Sequence, residues 1–168
     1  MTGIIDLLVL SIICFALGVG ITWFFVVHKL KAKFDALDDA NKKMNEFYDL
    51  LIRWMEVHRK GDNLTSFFVS KGYKTIAIYG MRELGLLLLQ ELKNSDAEVK
   101  YCIDKDADNI HIEIPVYKPE DDLEDVDAIV VTAIHYYNDI EPMLRDKLES
   151  DIYSLDDVIY ELLNHNAE

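Results

Sequence analysis

Apolar side chains recur at Leu30, Phe34, Leu37, Met44, Tyr48, Leu51 and Met55 in alternating steps of four and three, with Asn41 in the vacant place. This heptad seam predicts one long helix over residues 28–60 with the pattern of a coiled coil, in which Asn41 sets register and partner number. From Phe47 onward the same residues admit a second reading, in which Leu51, Trp54 and Met55 pack on the domain that follows. Gly61, placed just after Arg59 and Lys60, is the expected stop. Ahead of the seam the pattern loses its polar positions altogether. Leu7 to Val27 is twenty-one residues without a charge, a helix of about 31 Å that matches the hydrocarbon core of a bilayer. Trp23, Phe24 and Phe25 near its end suit an aromatic belt. Ala16 and Gly20 have the small-xxx-small spacing that lets membrane helices approach.

Beyond Gly61 the periodicity changes. A short helix around Leu64 to Ser70 and a break at Gly72 precede a regular alternation. "KTIAIYG" is an apolar strand, residues 81–93 a helix, "EVKYCID" a second strand, and "IHIEIPVY" a third between prolines. "VDAIVVTA" is a fourth strand, followed by a helix through "DIEPMLRDKL". "DIYSL" is a short fifth strand, and "SLDDVIYELL" a last helix with Ser154 as cap and Asp157 three residues on. The expected fold is α/β: a parallel Rossmann-like sheet of about five strands with helices on both faces, preceded by a transmembrane helix and a stalk helix. The expected boundaries are 1–6 outside the membrane, 7–27 spanning it, 28–60 as stalk and 61–168 as the domain. In the helix after the first strand, Met81, Leu84, Leu88 and Leu92 form the sheet-facing stripe. Leu86 and Leu87 fall outside it, which suggests a subunit contact or a cover from the preceding helix.

Charge divides at the same boundary. Residues 1–60 carry eight Lys/Arg against seven Asp/Glu, and residues 61–168 carry nine against twenty-four. A domain that acidic repels phosphate backbones, so nucleic acid is excluded as the expected partner. Lys29, Lys31 and Lys33 follow the apolar run and no Lys or Arg precedes it. The positive-inside rule then puts the N-terminus outside and the domain in the cytoplasm. Cys14 and Cys102 have no CxxC partner or His cluster, so no zinc site or disulfide framework is indicated. No nucleophile–His–acid set or paired metal ligands can be assembled either.

The stretch "GYKTIAIYGMRELGLLLLQELKNSDAEVKYCIDKDAD", with "IPVYKPEDDLEDVDAIVVTAI" and "SLDDVIYEL", resembles a small Rossmann-like domain of bacterial surface-polysaccharide and glycosyltransferase-associated proteins. The resemblance covers roughly residues 47–163 and leaves the anchor outside. It implies binding of NAD(P) or a nucleotide sugar at the turn after the first strand, where such domains carry Gly-x-Gly-x-x-Gly. Here Gly80 makes the tight turn and Gly85 lets the helix lie against the sheet. Asp104, twenty-four residues after Gly80, stands near the place of the acid that takes ribose hydroxyls. Arg82 replaces the middle glycine. It either clamps a phosphate at the helix N-terminus or blocks the crevice. Thr132 and His135, in "TAIHYY" after the fourth strand, are expected at the same crevice; the loop's aromatics can equally pack on the helix below.

These residues point away from an enzyme and toward a single-pass bacterial membrane protein that forms homo-oligomers. Its domain binds a nucleotide or nucleotide sugar, or acts as a scaffold, beside membrane-bound polysaccharide-assembly proteins. The alternatives are a subunit of an NAD(P)-dependent or sugar-modifying enzyme, and a ligand-free oligomerisation scaffold.

Overall fold

The computed structural model describes the chain over residues 2–165, and its side chains at residues 3, 10, 15 and 18–164. Its internal contacts divide it into two units, Met1–Phe47 and Tyr48–Glu168.

Helix α1 runs over Thr2–Arg59. In the first unit its seam residues Leu30, Phe34, Leu37 and Met44 are between 50 and 70% exposed. Ion pairs Lys43–Asp39 (2.8 Å) and Lys42–Glu46 (3.9 Å) run along the helix one turn apart. Among the described residues no helix is long and apolar enough to cross a membrane. Apart from Leu10 and Phe15, residues 7–17 of the span expected at 7–27 have side chains outside the described set, Cys14 and Ala16 among them.

In the second unit α1 stops where Gly61 turns to φ +84°. There the amides of Gly61 and Asp62 reach back to the carbonyls of His58 and Val57. Its last turns do pack on the domain, but through Leu50, Trp54 and Val57, which are buried. Of the residues expected to make that contact, Leu51 is half-buried and Met55 stays exposed. The reason is the helical period: the domain takes one stripe of the helix and the heptad seam lies on another.

The domain is an α/β sheet of five parallel strands. These are β1 (Thr75–Tyr79), β2 (Glu98–Ile103), β3 (Val116–Tyr117), β4 (Ala128–Val131) and β5 (Asp151–Ser154), in the order β3-β2-β1-β4-β5. Strand order reverses between β1 and β4, and this is the Rossmann arrangement with its switch point at the end of β1. The third strand is shorter than "IHIEIPVY" suggests. Pro115 cannot donate to a ladder, and pairing begins only after it, with Cys102 opposite Val116 and Ile103 opposite Tyr117.

Alternation along the strands makes two buried faces. One carries Ala77, Tyr79, Tyr101, Ile103, Ile129, Val131 and Ile152, packed with Ile140 and Leu144 of α4 (Tyr137–Arg145). Ile76, Ile78, Cys102, Ala128 and Val130 alternate with these and are fully buried. Burial pushes the Cys102 thiol up to about 12, so it is an inert core group. Helix α3 (Glu83–Leu92) lies against β1 and β2, with Leu84, Leu88 and Leu92 inside, whereas Leu86 and Leu87 remain 46 and 47% exposed. Helix α2 (Leu64–Lys71) is capped by Asn63, whose side chain accepts from the Ser66 amide. The last helix, α5 (Leu155–His165), follows Ser154, whose hydroxyl accepts from the Asp156 amide. Below the sheet, Asp127 accepts from the amides of Lys74 and Thr75 and ties β4 to β1. These bonds hold its carboxyl below the usual range.

One carboxylate gathers three elements. Glu91 near the end of α3 accepts from Trp54 Nε1 (2.8 Å) and the Leu64 amide (2.6 Å), and lies 3.2 Å from His58 Nε2. Glu91→Ala leaves the donors of the buried Trp54 and Leu64 without it and should cost about 2 kcal/mol. Urea unfolding of the full chain, followed by Trp54 fluorescence in a Trp23→Phe background, checks this; an unchanged midpoint would show the junction to be held by apolar contact alone.

Candidate functional site

The turn after β1 is built from glycine geometry. Gly80 has φ +94°, a conformation that side-chain-bearing residues avoid. A Cβ there would also stand 2.8 Å from Thr132 Oγ1. Gly85 is more restricted still: its Cβ would lie 2.0 Å from the Gly80 carbonyl oxygen. The first turn of α3 therefore rests directly on the turn that precedes it.

Asp104 follows β2 and reaches this turn. Its Oδ2 accepts from the Met81 amide at 2.7 Å, and its Oδ1 accepts from the Asp106 amide at 2.9 Å. The carboxylate expected to meet ribose hydroxyls is thus already bound on both oxygens, although each keeps a second lone pair. The Gly80 amide is spent as well, on the Ile103 carbonyl at 2.8 Å.

Thr132 closes the other side. It is buried, and its hydroxyl donates to the Gly80 carbonyl at 2.6 Å, with the Tyr79 carbonyl 3.1 Å away. It points inward and clasps the turn. His135 and Tyr136 lie in a short helical turn leading to α4, and both are exposed. Tyr137 instead packs into the sheet core and donates to the Ile152 carbonyl at 3.1 Å.

Arg82 is the residue before α3 and is exposed. Its own side chain makes no capping bond to that helix end. The helix dipole and its first amides leave a partial positive charge there. So Gly80, Asp104 and Thr132 come together, Gly85 supports them from beneath, and Arg82 and His135 stand exposed.

Tyr79 was not anticipated. Its hydroxyl is buried and has no partner among the described residues. Burial, then the nearby Asp104 and Glu120 carboxylates, raises its pKa. A tyrosine at the end of an otherwise aliphatic strand was the available signal. Among the described residues no group of three His, Cys, Asp or Glu can hold a metal ion.

Gly85→Ala should cost about 3 kcal/mol, because backbone must move to admit the methyl. Thr132→Val should cost about 2 kcal/mol by stripping the Gly80 carbonyl of its donor. Urea midpoints of the two variants test both, and a neutral Gly85→Ala would refute the close contact. No family model, curated protein or solved structure matches this chain.

Proposed function

We propose that this chain is a non-catalytic, membrane-anchored scaffold: a Rossmann-like domain that keeps the nucleotide-binding architecture with its crevice turn satisfied from within. The observation that carries this reading is Asp104. Its carboxylate holds the Met81 amide at the spot where ribose and pyrophosphate would meet the turn, so a dinucleotide must compete with a charge-assisted bond already made. Thr132 is committed to the Gly80 carbonyl in the same way.

The anchor is supported by the uncharged run of residues 7–27 and by Lys29, Lys31 and Lys33 after it. In its described part Phe15, Val19, Ile21, Trp23, Phe24 and Phe25 are all more than half exposed on a helix, which suits lipid better than water. A setting beside membrane-bound polysaccharide assembly is what the resemblance of residues 47–163 implies, and it belongs to this proposal.

A second reading has its own observation. Arg82 stands exposed at a helix N-terminus that its own side chain does not cap, and with the unpartnered Tyr79 hydroxyl nearby in sequence it fits a phosphate-bearing ligand such as NAD(P) or a nucleotide sugar. Thermal unfolding of the full chain in detergent separates the two. A ligand at a hundred times its dissociation constant adds about 2.7 kcal/mol. The scaffold reading predicts no shift with NAD, NADP, UDP-sugars or GDP-sugars. A shift in the wild type that Arg82→Ala abolishes would replace it with the nucleotide reading. A shift seen only in Arg82→Gly would mean a site shut by the arginine.

A further inference from the structure

We infer that the exposed seam of α1 docks on a second copy of this chain, parallel and in register, with Lys33 of each copy paired to Asp38 of the other. The inference rests on the scaffold reading only in taking both copies to be anchored in one membrane.

Within the second unit the seam residues Tyr48 and Met55 stay clear of the domain, and Leu51 is half-buried. With Leu30, Leu37, Met44 and Leu51 at the d positions, Phe34, Asn41, Tyr48 and Met55 take the a positions. Within the second unit the buried Leu50, Trp54 and Val57 then stand at c, g and c. That stripe lies roughly 110° around the helix from the a/d seam, at 100° per residue. Tyr48 and Met55 accordingly remain 61 and 65% exposed although the same turns are docked. In the first unit Leu30, Phe34, Leu37 and Met44 are equally bare.

Charge chooses the direction. Two ion pairs formed within the helix, Lys43–Asp39 and Lys42–Glu46, join positions c to f and b to f, behind the seam. The flanking charges between Leu30 and Met55 are Lys33 at g and Lys31 and Asp38 at e, all exposed; Lys31 faces Val26 in the parallel pair. In a parallel, in-register pair, g of one helix faces the following e of the other, so Lys33 meets Asp38 twice by symmetry. Phe47 at g meets Ile52 at e by the same rule, and Ile52 is half exposed. An antiparallel pairing of the same seam sets Lys33 against Trp54 of the second copy, which its own domain already buries, and Asp38 against Asn45. Asn41 at a opposes its own counterpart only in register. Counted back, the frame also places Gly20 at a and Ala16 at d, in phase with the small-residue spacing that permits close approach in lipid. The seam from Leu30 to Met55 is about 39 Å of helix, nearly four heptads.

The test is made on the full chain in detergent or vesicles. Leu37→Cys, in a background of Cys14→Ser and Cys102→Ala, should form a disulfide between copies on mild oxidation. Lys33→Glu should weaken the dimer several-fold by sedimentation, and Lys33→Glu with Asp38→Lys should restore it. A dimer by mass that neither cross-links at position 37 nor responds to the charge swap would overturn the parallel register. A monomeric wild type would overturn the pairing altogether. Neither result bears on the crevice, and a bound nucleotide would overturn the scaffold reading while leaving the pairing intact.

Discussion

The contact of Gly85 with the Gly80 carbonyl is the constraint from which the domain's other arrangements follow. Only a residue without a side chain can lie there, and so α3 must leave the turn at one angle, close to the sheet. That angle brings Leu84, Leu88 and Leu92 onto β1 and β2 and leaves Leu86 and Leu87 outside. It also carries Glu91 to the far end of the helix, where Trp54, His58 and the Leu64 amide converge on it. The docking of α1's last turns and the start of α2 thus depend on a glycine at the opposite end of α3.

The same turn decides what the crevice can do. Rossmann-type sites bind through amides left open at a glycine-rich turn. In this chain the Met81 amide is taken by Asp104, the Gly80 amide by Ile103 and the Gly80 carbonyl by Thr132. What remains outward is Arg82 and the helix end behind it. In the last turns of α1 one stripe, Leu50, Trp54 and Val57, is spent on the domain, and Tyr48 and Met55 on another stay exposed.

Much of this architecture was legible in the residues. Strand–helix alternation gave a parallel sheet, and the order β3-β2-β1-β4-β5 is its Rossmann form. The stripe of α3 and the stop at Gly61 followed from period and from glycine. What the residues could not show was pairing. Asp104 stood at the expected spacing, but spacing places a carboxylate without naming the donor that reaches it first. Thr132 faced the crevice by position, yet its inward turn depends on the empty space above Gly80. "IHIEIPVY" alternates like a strand, but Pro115 has no donor for the ladder and pairing is confined to the two residues after it. For α1, periodicity showed that several faces were apolar. The choice between them, Leu50, Trp54 and Val57 over Leu51 and Met55, was a tertiary matter.

The switch-point turn is closed by Asp104 and Thr132 of its own chain, and the Met81 amide reports on it directly. Its hydrogen exchange, measured in the full chain with and without NAD or a UDP-sugar, should be slow and unaffected by either compound, and should become fast in Asp104→Ala. Fast exchange in the wild type, or protection that appears only when a nucleotide is added, would contradict the closed turn and return the crevice to service as a binding site.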